Sequence, residues 1–475
     1  MVLKVMAVAE DSESDVELAE IPASEILNKI QKGLDVEYSN VVVKGDLNID
    51  NLDLPKQNIE RTEFQKTILT QPEVAKLVKS KIRITASKIE GLVAFDNIIF
   101  EKDIDFWASK FGRNADFSGS QFSGNTKFEE SQFNGIVQFN GSQFNGDAHF
   151  DSSKFSKFAS FLGSQFKSFV YFIKAQFCED ANFGNSQFSV LADFSRSQFN
   201  GIAYFDNSRF SDAEFSSQFN QDAFFNRSFF INAGFRSQFN GIVDFTNCTF
   251  QEFANFTGAK FIEDAFFNKT KFLGTALFIG AAFNGDFILN DANFGEPFSL
   301  ERTKYEKLYI RWKDFTKPRY HRKSLENWRR FINLKYEDTS YLLLIENFKN
   351  LGFFEDADNC YYQYRIESRR NLPALYKPFD RILWLFYGYG VKPLRPLVWL
   401  VILLIAFGLL YSVAGHSPIE AFNTSLTLSL SGTQLIENPN HPANAMQYWI
   451  FTSEKLLASL LFAMFLVSVG RTIIR

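Results

Sequence analysis

The chain has 475 residues, too many for one ordinary domain, and its composition changes sharply along its length, so it reads as several modules. A formal net charge of -4, with both signs spread out, excludes a strongly basic nucleic-acid face and an acidic tail. Cys178, Cys248 and Cys360 stand far apart with no CxxC pair, which argues against a zinc site and a disulfide framework and fits a reduced compartment.

The N-terminus, MVLKVMAVAEDSESDVE, turns acidic where a signal peptide needs a basic start and an apolar core, so this end is expected to stay in the cytosol. Ala23 to Lys32 predicts a short amphipathic helix ended by Gly33 that caps the module to follow; tail and helix take up residues 1–35. Residues 36–54 read as the first β coils. Polar residues 55–80, with Pro72, read as an insertion, with a helix expected in QPEVAKLVK.

Phe dominates from there to residue 300: 58 residues in the chain, recurring as Phe95, Phe100, Phe106, Phe111, Phe117 and onward at spacings that alternate five and six. Two positions before each stands a small or β-branched residue, such as Ala115, Ser120, Ser131, Ala181 and Cys248. Strand-like chain gives this i−2/i pairing when alternate side chains point to opposite faces, so both positions face inward. Phe117, Phe122, Phe128, Phe133, Phe139, Phe144, Phe183 and Phe188 are therefore assigned to a core. Neither spacing fits a helical period, and Ser123-Gly124, Asn134-Gly135 and Asn145-Gly146 mark turns.

The units FSGSQFSGNTK, FNGSQFNGDAH and FGNSQFSVLAD resemble the pentapeptide-repeat family, in its Phe-rich variant with an eleven-residue double repeat. The resemblance implies a right-handed β-helix of square cross-section with Phe and its small i−2 neighbour stacked inside. The fold class is then mixed: this quadrilateral solenoid over 81–300, a helical connector, and a two-helix transmembrane hairpin with a re-entrant, pore-like segment. The run shortens between Phe210 and Phe219 and again between Phe230 and Phe239, once per coil if a coil holds two units, so the deletions should fall on one side and indent it. Lys81 to Gly295 leaves room for roughly ten coils, a rod of roughly 50 Å.

Residues 301–376 exchange Phe and Asn for Arg, Lys, Tyr and Trp and show helical periodicity from LENWRRFINLK onward, the expected cytosolic connector. Gly352 divides two amphipathic stretches that resemble one helix-turn-helix unit of a TPR-like array, read as a rigid spacer. Residues 377–395, including FDRILWLFYGY, carry the aromatic and basic side chains of an interfacial helix, either a relay or a passive anchor. Residues 396–475 hold two apolar runs, Leu397 to Val413 and Trp449 to Gly470, each long enough to span a bilayer. Arg and Lys crowd the flanks outside the pair, and Ala414 to Tyr448 has none, so both termini are expected in the cytosol.

Between the spans lies AFNTSLTLSLSGTQ, Ala421 to Gln434. The order of span, short helix, polar turn and span resembles the two-transmembrane pore domain of potassium-channel-like proteins. Thr424, Thr427, Ser429, Ser431 and Gly432 fall on its re-entrant segment, Thr433 and Gln434 occupy the filter region, and Glu454 matches the start of the second span. Where that family has Gly-Tyr-Gly-Asp this chain has Gly432-Thr433-Gln434-Leu435; Gln434 resists the positive φ a carbonyl-lined filter needs, so a less selective conductance is expected. Gly388 to Gly390 is a second Gly-Tyr-Gly, but it precedes the first span and is read as a turn. Two helices cannot enclose a pore, so conduction implies symmetric assembly, and the resemblance implies four copies passing monovalent cations. Glu454 either supports the filter or snorkels beside Lys455.

Two functions follow: an ion-channel-like integral membrane protein whose cytosolic solenoid is scaffold or sensor, or a non-conducting, membrane-anchored scaffold for a protein partner. DNA mimicry, as in some pentapeptide-repeat proteins that bind topoisomerases, needs an anionic stripe this chain lacks, and no nucleic-acid partner is expected. Neither catalysis nor a cofactor or metal is expected: His149, His321, His416 and His441 are scattered, and His149, one residue before an inward Phe, points outward.

Overall fold

The computed structural model describes residues 18–317, 331–430 and 445–473, which form two compact units, Met1–Lys335 and Tyr336–Arg475. The first is a β-solenoid. Most of its strands are two residues long, and they stack in parallel on the coil before: Lys110 and Phe111 pair with Gln132 and Phe133, and these with Lys154 and Phe155. Partners lie 22 residues apart, so a coil is two eleven-residue units. Three ladders of thirteen, twenty and twelve strands wrap the core, the twenty-strand ladder contributing two sides.

Every core Phe assigned from sequence is inside, with Phe117, Phe128, Phe139 and Phe183 fully buried and Phe122, Phe133, Phe144 and Phe188 about as deep. They form columns: Phe117 stacks on Phe139 at 4.8 Å, Phe161 on Phe183 at 4.8 Å, and Phe188 on Phe210 at 4.5 Å. Adjacent columns meet edge to face, as Phe172 and Phe183 do at 5.3 Å and 84°, the arrangement that suits the ring quadrupole. The i−2 residue alternates between Ala or Val and Ser for a physical reason. At the turns the buried hydroxyl donates to a carbonyl of the neighbouring coil, Ser142 to Phe117 at 2.7 Å and Ser186 to Phe161 at 2.7 Å, so these serines are satisfied inside the core.

The Phe-x-x-Ser corners are tight turns, closed by Ser120 N–H donating to the Phe117 carbonyl at 3.1 Å, with the third residue at positive φ: Gly119, Gly141, Gly163, then Asn185 and Asn207. The Asn-Gly steps are different: Gly135 has ordinary φ, but a Cβ there would sit 2.4 Å from the Arg113 backbone of the preceding coil. The deletions align as expected. Arg209–Glu214 and Phe229–Gly234 become continuous strands paired with each other, and Ser217 N–H reaches Phe215 O at 2.8 Å in a turn one residue tighter than its neighbours.

Both ends are capped. Strand Ala19–Pro22, unforeseen in the sequence, adds to Val41–Lys44, and helix α1, Ala23–Gln31, buries Ala23, Ile26 and Ile30 before Gly33 at φ 68° ends it. Strands Lys304–Tyr305 and Leu308–Tyr309 continue the solenoid past residue 300, so the connector starts later than expected; Trp312, Phe315 and Leu334 then bury the last coil. Together these coils make the thirteen-strand stack taller than the ten coils expected of Lys81 to Gly295.

The insertion corrects the sequence reading. Val36 pairs with Ile82, 46 residues on, so the extra chain loops out of the first coil. QPEVAKLVK is no helix: Val74–Val78 is a strand, parallel to Ile98–Phe100 and antiparallel to Lys56–Asn58, because two strand edges lie open to its β-branched residues. The helix, α2, is Glu63–Thr67, started by a reciprocal Thr62–Gln65 cap. It docks on the corner glycines. Gln65, fully buried, donates from Nε2 to Gly141 O at 2.9 Å and Gly163 O at 3.1 Å, and Gln71 Nε2 donates to Asn140 O at 2.6 Å.

Phe331–Ile332 is a strand beside Thr316–Lys317, not the helix expected of LENWRRFINLK; residues 318–330 of that stretch lie outside the described residues. In the second unit α3, Asp338–Asn350, and α4, Phe354–Ser368, flank Gly352 at φ 76°. α5, Lys377–Ile382, runs on as a wide helical turn to Tyr387, and Gly388, Tyr389 and Gly390 all take positive φ, the expected turn. Then come α6, Leu394–Val413, α7, Pro418–Leu430, and α8, Ala445–Ile473. The α6 stretch and Trp449–Arg471 are long and apolar enough to cross a membrane, and only 17% of each is buried, whereas a soluble core helix would be mostly covered.

Candidate functional site

Ser417, Pro418 and Glu420 start α7: Ser417 N–H donates to Glu420 Oε2 at 3.2 Å, and Pro fits the first helical turn. Gly415, at φ 104°, reverses the chain so that α7 packs back along α6. Ser425 Oγ reaches the carbonyl of Leu404 at 3.1 Å. Leu404 lies nine residues before the end of α6, or ~14 Å down its axis, so α7 descends beside the apolar helix rather than lying across its end.

Helical spacing sorts the side chains of α7. Ala421, Ser425, Leu428 and Ser429 point inward, with Ala421 and Leu428 packed on Tyr411 against Ile450 and Phe451. The inward serines meet a carboxylate. Glu454 is fully buried and accepts from Tyr411 Oη at 2.5 Å on one oxygen, and from Ser425 and, at 3.2 Å, Ser429 on the other. One acidic side chain thus ties all three helices together, the satisfaction a buried carboxylate requires. Glu454 faces these hydroxyls inside the bundle rather than snorkelling at the surface.

Thr424 and Thr427 face the other way. Each returns its hydroxyl to its own helix, Thr424 to Glu420 O at 2.8 Å and Thr427 to Asn423 O at 2.7 Å, and Thr427 is exposed. The candidates therefore divide: Ser429 and Glu454 come together inside, and Thr424 and Thr427 share the outer face. Ser431, Gly432, Thr433 and Gln434 lie outside the described residues.

Sequence reasoning missed Tyr411 and the role of Ser425; the signal was a hydroxyl-bearing ring in the last turn of an otherwise apolar run. It also missed a second centre. Asp380, 4% exposed, accepts from Arg365 at 3.1 Å, Arg369 at 2.5 Å and Tyr389 at 2.5 Å, which locks α4 to the Gly-Tyr-Gly turn. Burial pushes its carboxyl up, but the hydrogen bonds from Tyr389, Arg369 and Arg365 outweigh this and hold it below its ordinary value. Burial and the Asp380 carboxylate push the Tyr389 hydroxyl up to about 12. Arg395 joins in, donating to Trp384 O at 2.5 Å and Tyr362 Oη at 2.8 Å.

On the solenoid, His149 does point outward, stacked on Tyr171 at 5.1 Å with Asp151 and Glu129 at 3.6 and 3.8 Å. No group of three or more His, Cys, Asp or Glu suited to a metal is present among the described residues.

The family model described as Pentapeptide repeats (9 copies) matches residues 106–154. No curated protein and no solved structure matches the chain. Stacked coils of 22 residues, buried Phe columns and this match agree: the chain carries pentapeptide repeats wound into a β-solenoid, followed by helices of which two are suited to cross a membrane.

Proposed function

We infer that this chain is an ion-channel-like membrane protein, assembled as a homotetramer, whose two spans hold α7 as a re-entrant helix and whose solenoid serves as cytosolic scaffold or sensor. The observation that carries this reading is the descent of α7 along α6, fixed by Ser425 and Ser429 on buried Glu454. A passive anchor needs no such helix. At bilayer depth the outer face of α7, with Asn423 and Thr427 exposed, is poorly suited to lipid and fits a wet cavity shared among copies. Monovalent cations are the proposed cargo, the termini are placed in the cytosol on the charge asymmetry of the flanks, and no catalytic role is proposed.

The second reading, a non-conducting membrane-anchored scaffold, is favoured by one observation, the departure from Gly-Tyr-Gly-Asp at Gly432 to Leu435. Flux through purified protein in liposomes separates the two, comparing potassium, sodium and chloride, with Gly432→Leu and a chain truncated before Leu397 as controls. Cation flux abolished by Gly432→Leu supports the pore; correctly inserted protein that passes no ion overturns it in favour of the scaffold.

A further inference from the structure

Residues 369–395 hold six basic side chains, Arg369, Arg370, Lys377, Arg381, Lys392 and Arg395, and one acidic one, Asp380. That carboxylate is buried and already shared by Arg365 and Arg369. Arg370 has a surface partner in Glu367 at 3.1 Å, while Lys377, Arg381 and Arg395 form no ion pair among the described residues. The segment therefore presents uncompensated positive charge.

The same segment exposes large apolar groups: Leu375 is 74% exposed, Phe379 67% and Ile382 51%. This surface continues into the exposed side of α6, where Leu394 and Val398 are bare. Apolar side chains that reach past the end of a span, with Lys and Arg set among them, match the boundary where acyl chains give way to phosphates. Asp380 has a structural part in this: it draws Arg365 of α4 and Arg369, just past the end of α4, inward, and no second carboxylate of the segment remains for its other basic groups.

We propose that residues 370–395 form a docking surface for anionic phospholipid headgroups of the leaflet that α6 enters, with Arg370, Lys377 and Arg381 meeting the phosphates and Leu375, Phe379 and Ile382 seated among the acyl chains. This rests on the reading of α6 as a span. Alkaline extraction, in which wild type and variants stay with the membrane, tests that reading separately.

The test uses the full-length protein in mild detergent, incubated with equal amounts of phosphatidylglycerol and phosphatidylcholine, with bound lipid counted by native mass spectrometry. Wild type should hold phosphatidylglycerol about tenfold over phosphatidylcholine, and R370Q/K377Q/R381Q should bring the two within about twofold. A charge-matched variant of the solenoid, K154Q/K260Q/K271Q, should keep the wild-type preference. Equal retention of both lipids by wild type, a triple variant that keeps its preference, or a solenoid variant that loses it equally, overturns the proposal.

Discussion

Three corner glycines of the solenoid share one backbone conformation, Gly163 at φ 67°, Gly258 at 71° and Gly280 at 65°, but differ in what a Cβ would meet. At Gly258 and Gly280 nothing lies within 4 Å; at Gly163 the Phe64 ring lies 2.7 Å away and Leu69 3.3 Å. Gly258→Ala and Gly280→Ala pay only for an L-residue in the left-handed region, about 1–2 kcal/mol, partly returned by a stiffer unfolded chain, which leaves about 1 kcal/mol. Gly163→Ala must also lift α2 from its seat. That breaks the buried Gln65 bonds to Gly141 and Gly163, at about 1 kcal/mol each, for a total of about 3 kcal/mol. Hydrogen exchange of the full-length protein read by mass spectrometry is the assay. Peptides covering residues 59–72 should lose protection in Gly163→Ala and keep it in Gly280→Ala, while the coils beneath stay protected in both. Equal behaviour of the two variants would refute docking of the insertion on the corner column.

Phe183→Ala empties a site walled by Phe161 and Phe205, stacked at 4.8 and 5.0 Å, and should cost about 4 kcal/mol in urea unfolding, because neighbouring coils cannot collapse inward. The hydrogen bond to Asp151, opposed by burial and aided by Glu129, raises the pKa of His149 above 6.5 in the folded state. The stability it adds is fully present below pH 6.5 and is lost as pH rises through the folded value, so wild type should weaken over that interval relative to His149→Gln in matched melts. Asp380→Asn leaves Arg365 and Arg369 without their carboxylate; since both arginines are partly exposed, a loss of about 2 kcal/mol is expected, seen as early protease cleavage between α4 and α6.

The solenoid was legible because each coil repeats the same demand: every inward Phe and every turn Ser recurs at the positions its neighbour needs. Val74 to Val78 was not, since a short apolar run fits helix and strand alike, and the open edge that decides it belongs to Ile98–Phe100, distant in sequence. The hairpin was half legible. The apolar runs and Ser417-Pro418 mark the helices, but the choice of Tyr411 as partner of Glu454 depends on how α6 and α8 turn toward each other, which no local pattern encodes. Asp380 was not legible for the same reason: Arg369 and Arg365 lie 11 and 15 residues before it, just beyond the end of α4 and in its last turn.

On the channel reading, the outer face of α7 borders a water-filled path through the bilayer. Thr427→Cys, reconstituted in a planar bilayer, tests it: a membrane-impermeant, charged thiol reagent added to one side should block cation current, with wild type unaffected because Cys248 and Cys360 are buried and Cys178 lies on the solenoid. Current that persists after complete modification of residue 427, or protein that carries none before it, contradicts a water-filled path beside α7.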